Sequence, residues 1–501
     1  LVRVAFSHRL EAVRWGTIAS GVSTAVDMVR GILAMPADET RRQFAEHVNP
    51  TMVEALGLLG YGRDFVRGEG VTLWDAEGRS YRDFLAGYGT LLLGHNHPEV
   101  RDAVAEVMGA GVPQFVQVSP QPLAAALAAR LARLAPGGLD IAYFMSSGSE
   151  AVDGALKLAR AATRRPRFVS AERAFHGITF GALSVTGHDK HRAPFEPLLP
   201  GAARVPWGDA GAIEKQLRRR DVAAVILETM QGEGGFRPAP AGYLADVRRL
   251  CTRYGTLLVL DEVQVGLGRT GRMFAYEREG VAPDVLVLAK GLSGGLIPVS
   301  AILSRRDVWT RAYGGLARYD VHASTFSGGA LAAAAALATL EILERDRLPA
   351  RAEELGERLG RALRAAVGGH PMVRDIRGRG LLWGIELFAP GGALGATAVG
   401  QWVAVGLMQR GIVSQVGTQA PDVIRAEPPL IAREEDIDAF ARALGETLRE
   451  HAPSVVAAAA GAAKSFVTAK LAQVATRAAA SEPAAQKEKR DGDESFTAGR
   501  N

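Results

Sequence analysis

Val285-Leu-Val-Leu-Ala-Lys290-Gly-Leu-Ser-Gly-Gly295 carries an uninterrupted apolar run into one lysine and a glycine-rich loop. Apolar residues in succession, without polar alternation, suit a strand covered on both faces, as in a parallel sheet. Lys290 then falls at the strand's carboxyl end. Burial disfavours a lysine's ammonium form and makes the amine a nucleophile toward an aldehyde, so a Schiff-base lysine would sit here. An isolated lysine at a strand end is ordinarily only solvated, and it is the neighbours of Lys290 that change this reading.

Upstream, Thr256-Leu-Leu-Val-Leu-Asp261-Glu-Val-Gln264 is a second buried-strand pattern, ending in a carboxylate. Open parallel sheets bind ligands beyond the carboxyl ends of their strands, so Asp261 and Lys290 point toward one crevice. Ile141-Ala-Tyr-Phe-Met145 reads as another strand, followed by Ser146-Ser-Gly-Ser149 and the helical pattern Glu150 to Ala159. Free N–H groups at that helix start would cradle a phosphate. The same residues, as Ser147-x-x-Glu150, also form a capping-box pattern, and both readings stay open. Add Phe175-His176 before Gly177, and the set suits pyridoxal phosphate: a phosphate cradle, a partner for the ring nitrogen, an amine for the aldehyde and an aromatic for the ring face.

With these residues in view, the chain resembles the class III aminotransferases, a branch of the fold-type I pyridoxal-phosphate enzymes. The likeness rests on Ser147-Gly-Ser-Glu150, Ala174-Phe-His-Gly177, Glu228-Thr-Met-Gln-Gly-Glu-Gly-Gly235, Leu260 to Gly271, Ala289-Lys-Gly291 and Ser324-Thr-Phe326, running from about residue 48 to about 450. Val48-Asn-Pro50, Gly94-His-Asn-His-Pro98 and Ile424-Arg-Ala-Glu-Pro-Pro-Leu430 look most like the ornithine and putrescine (ω-amine) members. The resemblance implies that Lys290 tethers the cofactor and shuttles the proton, while Asp261 pairs with the pyridine nitrogen. It further implies that Gly148 and Ser149 hold the phosphate, Phe175 and Val263 cover the two ring faces with His176 alongside, and Gln264 reaches the ring hydroxyl. Thr325 would reach the phosphate of a neighbouring subunit, which makes a homodimer, or a pair of dimers, part of the expectation.

For substrates, the resemblance implies that Arg425 grips the carboxylate of a 2-oxo acid such as 2-oxoglutarate or pyruvate in a bidentate fork. Glu228 would pair with Arg425 to mask its charge when a terminal amine such as putrescine or ornithine enters. Tyr88 would line the entrance. The reaction would be a ping-pong amino transfer from the ω-amine to the 2-oxo acid. Two departures bear on substrate choice: Ser327-Gly-Gly-Ala330 stands where relatives usually carry Gly-Gly-Asn-Pro, and Thr229-Met230 follows Glu228 in place of Pro-Ile or Pro-Val.

Composition agrees. With 501 residues, 48% hydrophobic, the chain can bury a large core. Lys plus Arg number 59 against 54 acidic residues, and the net +5 is scattered rather than gathered in a stripe, which argues against nucleic acid. The single Cys251 excludes an internal disulfide framework and a cysteine-cluster zinc site, compatibly with a cytoplasmic setting. The helical stretch Val13 to Ala34 is interrupted by Arg14, Gly16, Gly21, Asp27 and Arg30 and should not span a bilayer.

Strand and helix patterns alternate, predicting an α/β fold whose large domain is a mostly parallel, doubly wound sheet, with a smaller α+β domain. The expected divisions are a helical extension (1–45), a first part of the small domain (46–95), the cofactor-binding domain (96–344), the rest of the small domain (345–452) and a disordered tail (453–501). Ala330 to Leu343, apolar nearly all round, should be a buried connecting helix.

Other readings compete. Gly266-Leu-Gly268-Arg-Thr-Gly271 matches a dinucleotide fingerprint, but Asp261 to Gln264 intervene between strand and glycines and no helical stripe follows. Decarboxylation, racemisation or aminomutase chemistry on the same cofactor, an aldehyde-to-amine step in specialised biosynthesis, and a non-catalytic scaffold complete the alternatives.

Overall fold

The computed structural model of the protein describes residues 24–58, 60–115 and 118–450. The expected tail at 453–501 and the first part of the expected extension lie outside the described residues. The chain divides into two compact units, one running to Val66 with Asp75–Gly78, the other formed by Arg67–Trp74 and the chain from Arg79 on.

In the first unit, three helices follow one another: Ala25–Leu33, Ala37–His47 and Pro50–Leu58. The first starts at a capping box in which Thr24 and Asp27 satisfy each other's backbone N–H groups. Among the described residues no helix is long and apolar enough to cross a membrane.

The second unit is built on a seven-stranded sheet of β1 (Ile141–Met145), β2 (Arg167–Ala171), β3 (Ala202–Val205), β4 (Val222–Glu228), β5 (Leu257–Asp261), β6 (Val285–Leu288) and β7 (Ser300–Ser304), in the spatial order β1-β7-β6-β5-β4-β2-β3. The strands from β6 through β5, β4 and β2 to β3 pair in parallel, whereas β7 runs antiparallel between β6 and β1. β1, β5 and β6 lie where the apolar runs placed them. Every residue of β4, β5 and β6 is buried, which explains their unbroken hydrophobicity. Truncating one of these Val or Leu side chains to alanine would cost about 2–5 kcal/mol through lost contact and the cavity left behind.

Helix α1 (Gly148–Thr163) follows β1 and packs Val152, Leu156 and Leu158 into the sheet's core. Helix α2 (Ala330–Arg345) is the expected alanine-rich helix, and α3 (Leu348–Val367) follows it. Beyond them lies a four-stranded antiparallel sheet of Val373–Arg379, Leu382–Leu387, Ala420–Ala426 and Val416–Gly417. Val373–Arg379 and Leu382–Leu387 form a hairpin, and Ala420–Ala426 pairs with its second strand. Ile412–Val413 pairs in parallel with Ser80–Asp83, joining early and late parts of the sequence in one small sheet.

Candidate active site

The parallel sheet brings three chemistry-bearing residues to its carboxyl edge. Asp261 ends β5, Glu228 ends the adjacent β4 directly opposite it, and Lys290 follows β6 on the other side. Asp261 is buried and held from two directions. Its Oδ1 accepts the Val263 N–H at 3.0 Å, and its Oδ2 meets His176 Nδ1 at 2.7 Å. A carboxylate only accepts, so Nδ1 carries the proton of that bond, and each Asp261 oxygen keeps a lone pair for a further donor. His176 was expected beside the cofactor; the geometry gives it the task of orienting Asp261. Its backbone N–H is fixed in turn by Thr186 Oγ1 at 3.1 Å, and its Nε2 is buried without a partner.

Lys290 opens a short 3₁₀ turn with φ of +47°, a left-handed conformation that costs a non-glycine residue energy and is held here by the surrounding packing. Burial lowers its pKa, while Glu233, Glu427 and Asp261 pull in the opposite direction. A buried amine with a depressed pKa is the form that attacks a carbonyl.

At the start of α1, Ser147 Oγ accepts the Glu150 N–H at 3.2 Å, and Glu150 itself takes the Ser146 N–H at 2.8 Å. The Ser147 cap therefore forms, though Glu150 reaches the Ser146 N–H rather than closing the box on Ser147, and it leaves Gly148 and Ser149 as the first helical residues, whose N–H groups have no acceptor within the helix. Capping and anion cradle coexist. Ser149 Oγ accepts the Ile178 N–H at 3.2 Å, and Gly177 packs so tightly there that a Cβ on it would lie 2.3 Å from that oxygen. Phe175 and Val263 are both half-buried. A helix N-terminus for phosphate, a spare acceptor on buried Asp261 and an amine at Lys290 fit pyridoxal phosphate.

A second cluster surrounds Arg425, fully buried on the strand Ala420–Ala426. Its Nη2 donates to both oxygens of Glu233 at 2.8 and 2.9 Å, and its Nη1 to Glu427 at 2.7 Å. The guanidinium carbon lies 4.9 Å from the centroid of the Tyr88 ring and 5.1 Å from that of Phe236. Tyr88 is thus more than an entrance residue, and its φ of +58° and its bond to Gln415 help aim the ring. Burial, the largest single influence, would raise the Glu233 carboxyl, but Arg425, Lys290 and the Thr418 N–H together outweigh it and the pKa falls.

The expected Glu228–Arg425 pair does not form. Glu228 accepts the backbone N–H groups of Phe175 at 3.0 Å and Gly232 at 2.8 Å, and burial pushes it up to about 7, with His176 opposing and Asp261 adding to the shift. The carboxylates on the arginine are Glu233 and Glu427, neither singled out in the sequence. Glu427 was within reach of sequence reasoning, since residues two apart on a strand share a face. Gln264, expected at the ring hydroxyl, shares its amide between Glu427 at 3.2 Å and Glu233 at 3.4 Å, linking the two clusters. Thr325 is exposed in the turn before α2, and its expected contact lies with another subunit. Gly266 to Gly271 forms turns rather than a helix start, so the dinucleotide reading falls.

Comparison with known proteins agrees with this geometry. Residues 60–448 match the sequence model of the family "aminotransferase class-III". Aminotransferase PigE of Serratia sp. (strain ATCC 39006) is 43% identical over 366 residues, which is 72% of this chain but 43% of that protein, so the chain spans under half the length of this relative. Among solved structures, the ornithine aminotransferase of Toxoplasma gondii superposes with a TM-score of 0.76 at 30% identity, covering 85% of this chain and 97% of that one. An (S)-enantioselective omega-transaminase from Thermomicrobium roseum gives 0.76 at 30% identity, covering 83% and 99%.

Proposed function

The chain belongs to the class III aminotransferases, pyridoxal-phosphate-dependent enzymes of fold type I, and from that premise we propose that it moves an amino group from a terminal amine such as putrescine or ornithine to a 2-oxo acid such as 2-oxoglutarate or pyruvate, in ping-pong order. The observation that carries this reading is Arg425, the cation suited to a carboxylate, buried beside Lys290 with its charge covered by Glu233 and Glu427. An amine meets a covered arginine, whereas a carboxylate needs it uncovered.

The cofactor, when bound, supplies an aldehyde that takes up the amino group and a ring that accepts the electrons released as the donor's C–H bond breaks. Lys290 would tether it, and its Nζ would move the proton from the donor carbon. Asp261, oriented by His176, keeps the ring nitrogen protonated. Gly148 and Ser149 would hold the phosphate and Phe175 and Val263 would confine the ring, while Gln264 would reach the ring hydroxyl only by giving up its bonds to Glu427 and Glu233. Thr325 completes the phosphate site of a second copy, so the working unit is a homodimer, placed in the cytoplasm. The large domain extends over 96–344, and the small domain takes its later part from 345–450.

The test is spectral. The holoenzyme is titrated with putrescine, ornithine, glutamate, alanine and a long-chain primary amine, and terminal amines should bleach its yellow absorbance fastest, with 2-oxo acid restoring it. Absorbance that no donor bleaches would overturn the transaminase assignment in favour of decarboxylation or racemisation. The aldehyde-to-amine direction is the second reading, favoured by the two carboxylates on Arg425, because an uncharged carbonyl has no need of a free guanidinium.

A further inference from the structure

Thr325 lies in an exposed turn that the start of α2 holds at one end, with the Ser327 N–H donating to Ser324 O at 3.0 Å. Gly329 and Ala330 stand where relatives carry asparagine and proline, so little in the turn's own sequence stiffens it. Its other end is fixed by His322, three residues before Thr325. The half-buried His322 ring has its centroid 5.0 Å from that of Tyr143 on β1, and 6.0 Å from that of Tyr313, which ends the helix Arg306–Tyr313. Gly154 of α1 faces it too: a Cβ there would stand 3.1 Å from His322 Nε2 and 3.0 Å from Met145 Sδ, so the glycine opens the slot that the ring fills.

Lys157, one turn further along α1, places its Nζ 3.0 Å from His322 Nδ1. An ammonium only donates, so Nδ1 accepts, and the neutral ring carries its proton on Nε2, which is buried without a partner among the described residues. Burial lowers the ring's pKa, Lys157 adds to that and Glu150 opposes it. A protonated ring gives up the bond and meets a cation at the same distance. The helix whose first residues are proposed to hold this chain's own cofactor phosphate thus also grips the turn that serves a second copy.

Resting on the reading that Thr325 completes the phosphate site of a second copy, we infer that His322 is a positioning residue that acts across the dimer: docked on α1 through Gly154 and Lys157, it aims Thr325 at the neighbour's cofactor phosphate. Each copy's hold on its cofactor then depends on the other copy's His322, and acid that protonates the ring loosens that hold.

The experiment follows cofactor retention, read as the loss of protein-bound yellow absorbance during dialysis of the holoenzyme against inorganic phosphate. H322A should lose cofactor about tenfold faster than wild type, the measure of one hydrogen bond to a charged group. H322N, whose Oδ1 takes the place of Nδ1, should restore most of the difference. Wild-type loss should accelerate as pH falls below the ordinary histidine value of about 6.5, a step that the non-titrating H322N lacks. Differently tagged chains then separate the copies. In a dimer of K290A with H322A, the single tethering site faces the intact turn of the K290A chain and should keep its cofactor at the wild-type rate. In a dimer of wild type with the double variant K290A/H322A, the single tethering site faces the altered turn and should lose cofactor at the fast rate. The reverse pattern, or H322A losing cofactor no faster than wild type, overturns the inference. If H322A fails to fold, K157M, altered at an exposed helix position, takes its place with the same expected direction. A chain that stays monomeric or binds no cofactor is a different result, and removes the reading beneath together with the inference.

Discussion

Glu228 and Glu233 lie five residues apart in one motif, both buried, yet they belong to opposite kinds of site. At the sheet edge, Glu228 is held by two backbone N–H groups and pushed toward its neutral form, beside an Asp261 fixed by His176. Around Arg425, Glu233 is held ionised by a guanidinium that lies near the Tyr88 and Phe236 rings. The first region orients groups by hydrogen bonds from a rigid sheet, and the second by compensating charges against one another. A carboxylate's neighbours, and not its place in a motif, set what it does.

The harshest way to separate the regions is Lys290→Ala. Turnover should fall by at least about a thousandfold, since tether and proton carrier are lost together, while thermal stability should hardly drop because an unfavourable buried amine is removed. Undiminished turnover would sink the mechanism.

Acid–base titration of stability should distinguish the two glutamates. The raised folded pKa of Glu228 means the native state holds its proton more tightly than the unfolded chain. Its penalty is absent below about 4.5, grows as pH rises, and is complete above about 7, an effect of about 3 kcal/mol. Glu228→Gln should erase that loss between pH 4.5 and 7 in urea denaturation, and parallel curves for the two proteins would contradict it. Glu233, with its lowered pKa, acts the other way. Its stabilisation is present above about 4.5 and lost as pH falls below, so Glu233→Gln should flatten the acid limb alone.

The smallest effect is expected from His176→Leu. Asp261 would keep its Val263 bond and lose its orienting partner, so kcat should fall roughly ten- to a hundredfold with KM for the amine little changed. The pH at which the holoenzyme's absorbance titrates should move as well, which a purely structural role for His176 would not produce.

The sheet-edge region was readable from sequence because its logic is local. Continuous apolar strands ending in Asp261 and preceding Lys290 announce both the parallel sheet and the edge where it works. The antiparallel β7 was not read, since a short buried strand has the same composition in either direction. The arginine cluster was read only in part. Glu233 meets Arg425 across 192 residues, and nothing local distinguishes it from Glu228 as the partner. Tyr88 was read only as lining the entrance, and its place on the guanidinium goes with an unusual backbone conformation that residue type does not reveal. In physical terms, burial periodicity is written along the chain, whereas charge compensation is settled only when distant segments meet.

Gly89 performs no chemistry, yet at φ +82° it leaves the room that the buried Glu427 carboxylate occupies. In a saturation library, a side chain at 89 would press on that carboxylate and strain a left-handed backbone, so variants should score below wild type. A mutational map of this enzyme would therefore mark as sensitive a residue whose whole contribution is an absence, and re-engineering around Arg425 should begin by leaving that emptiness intact.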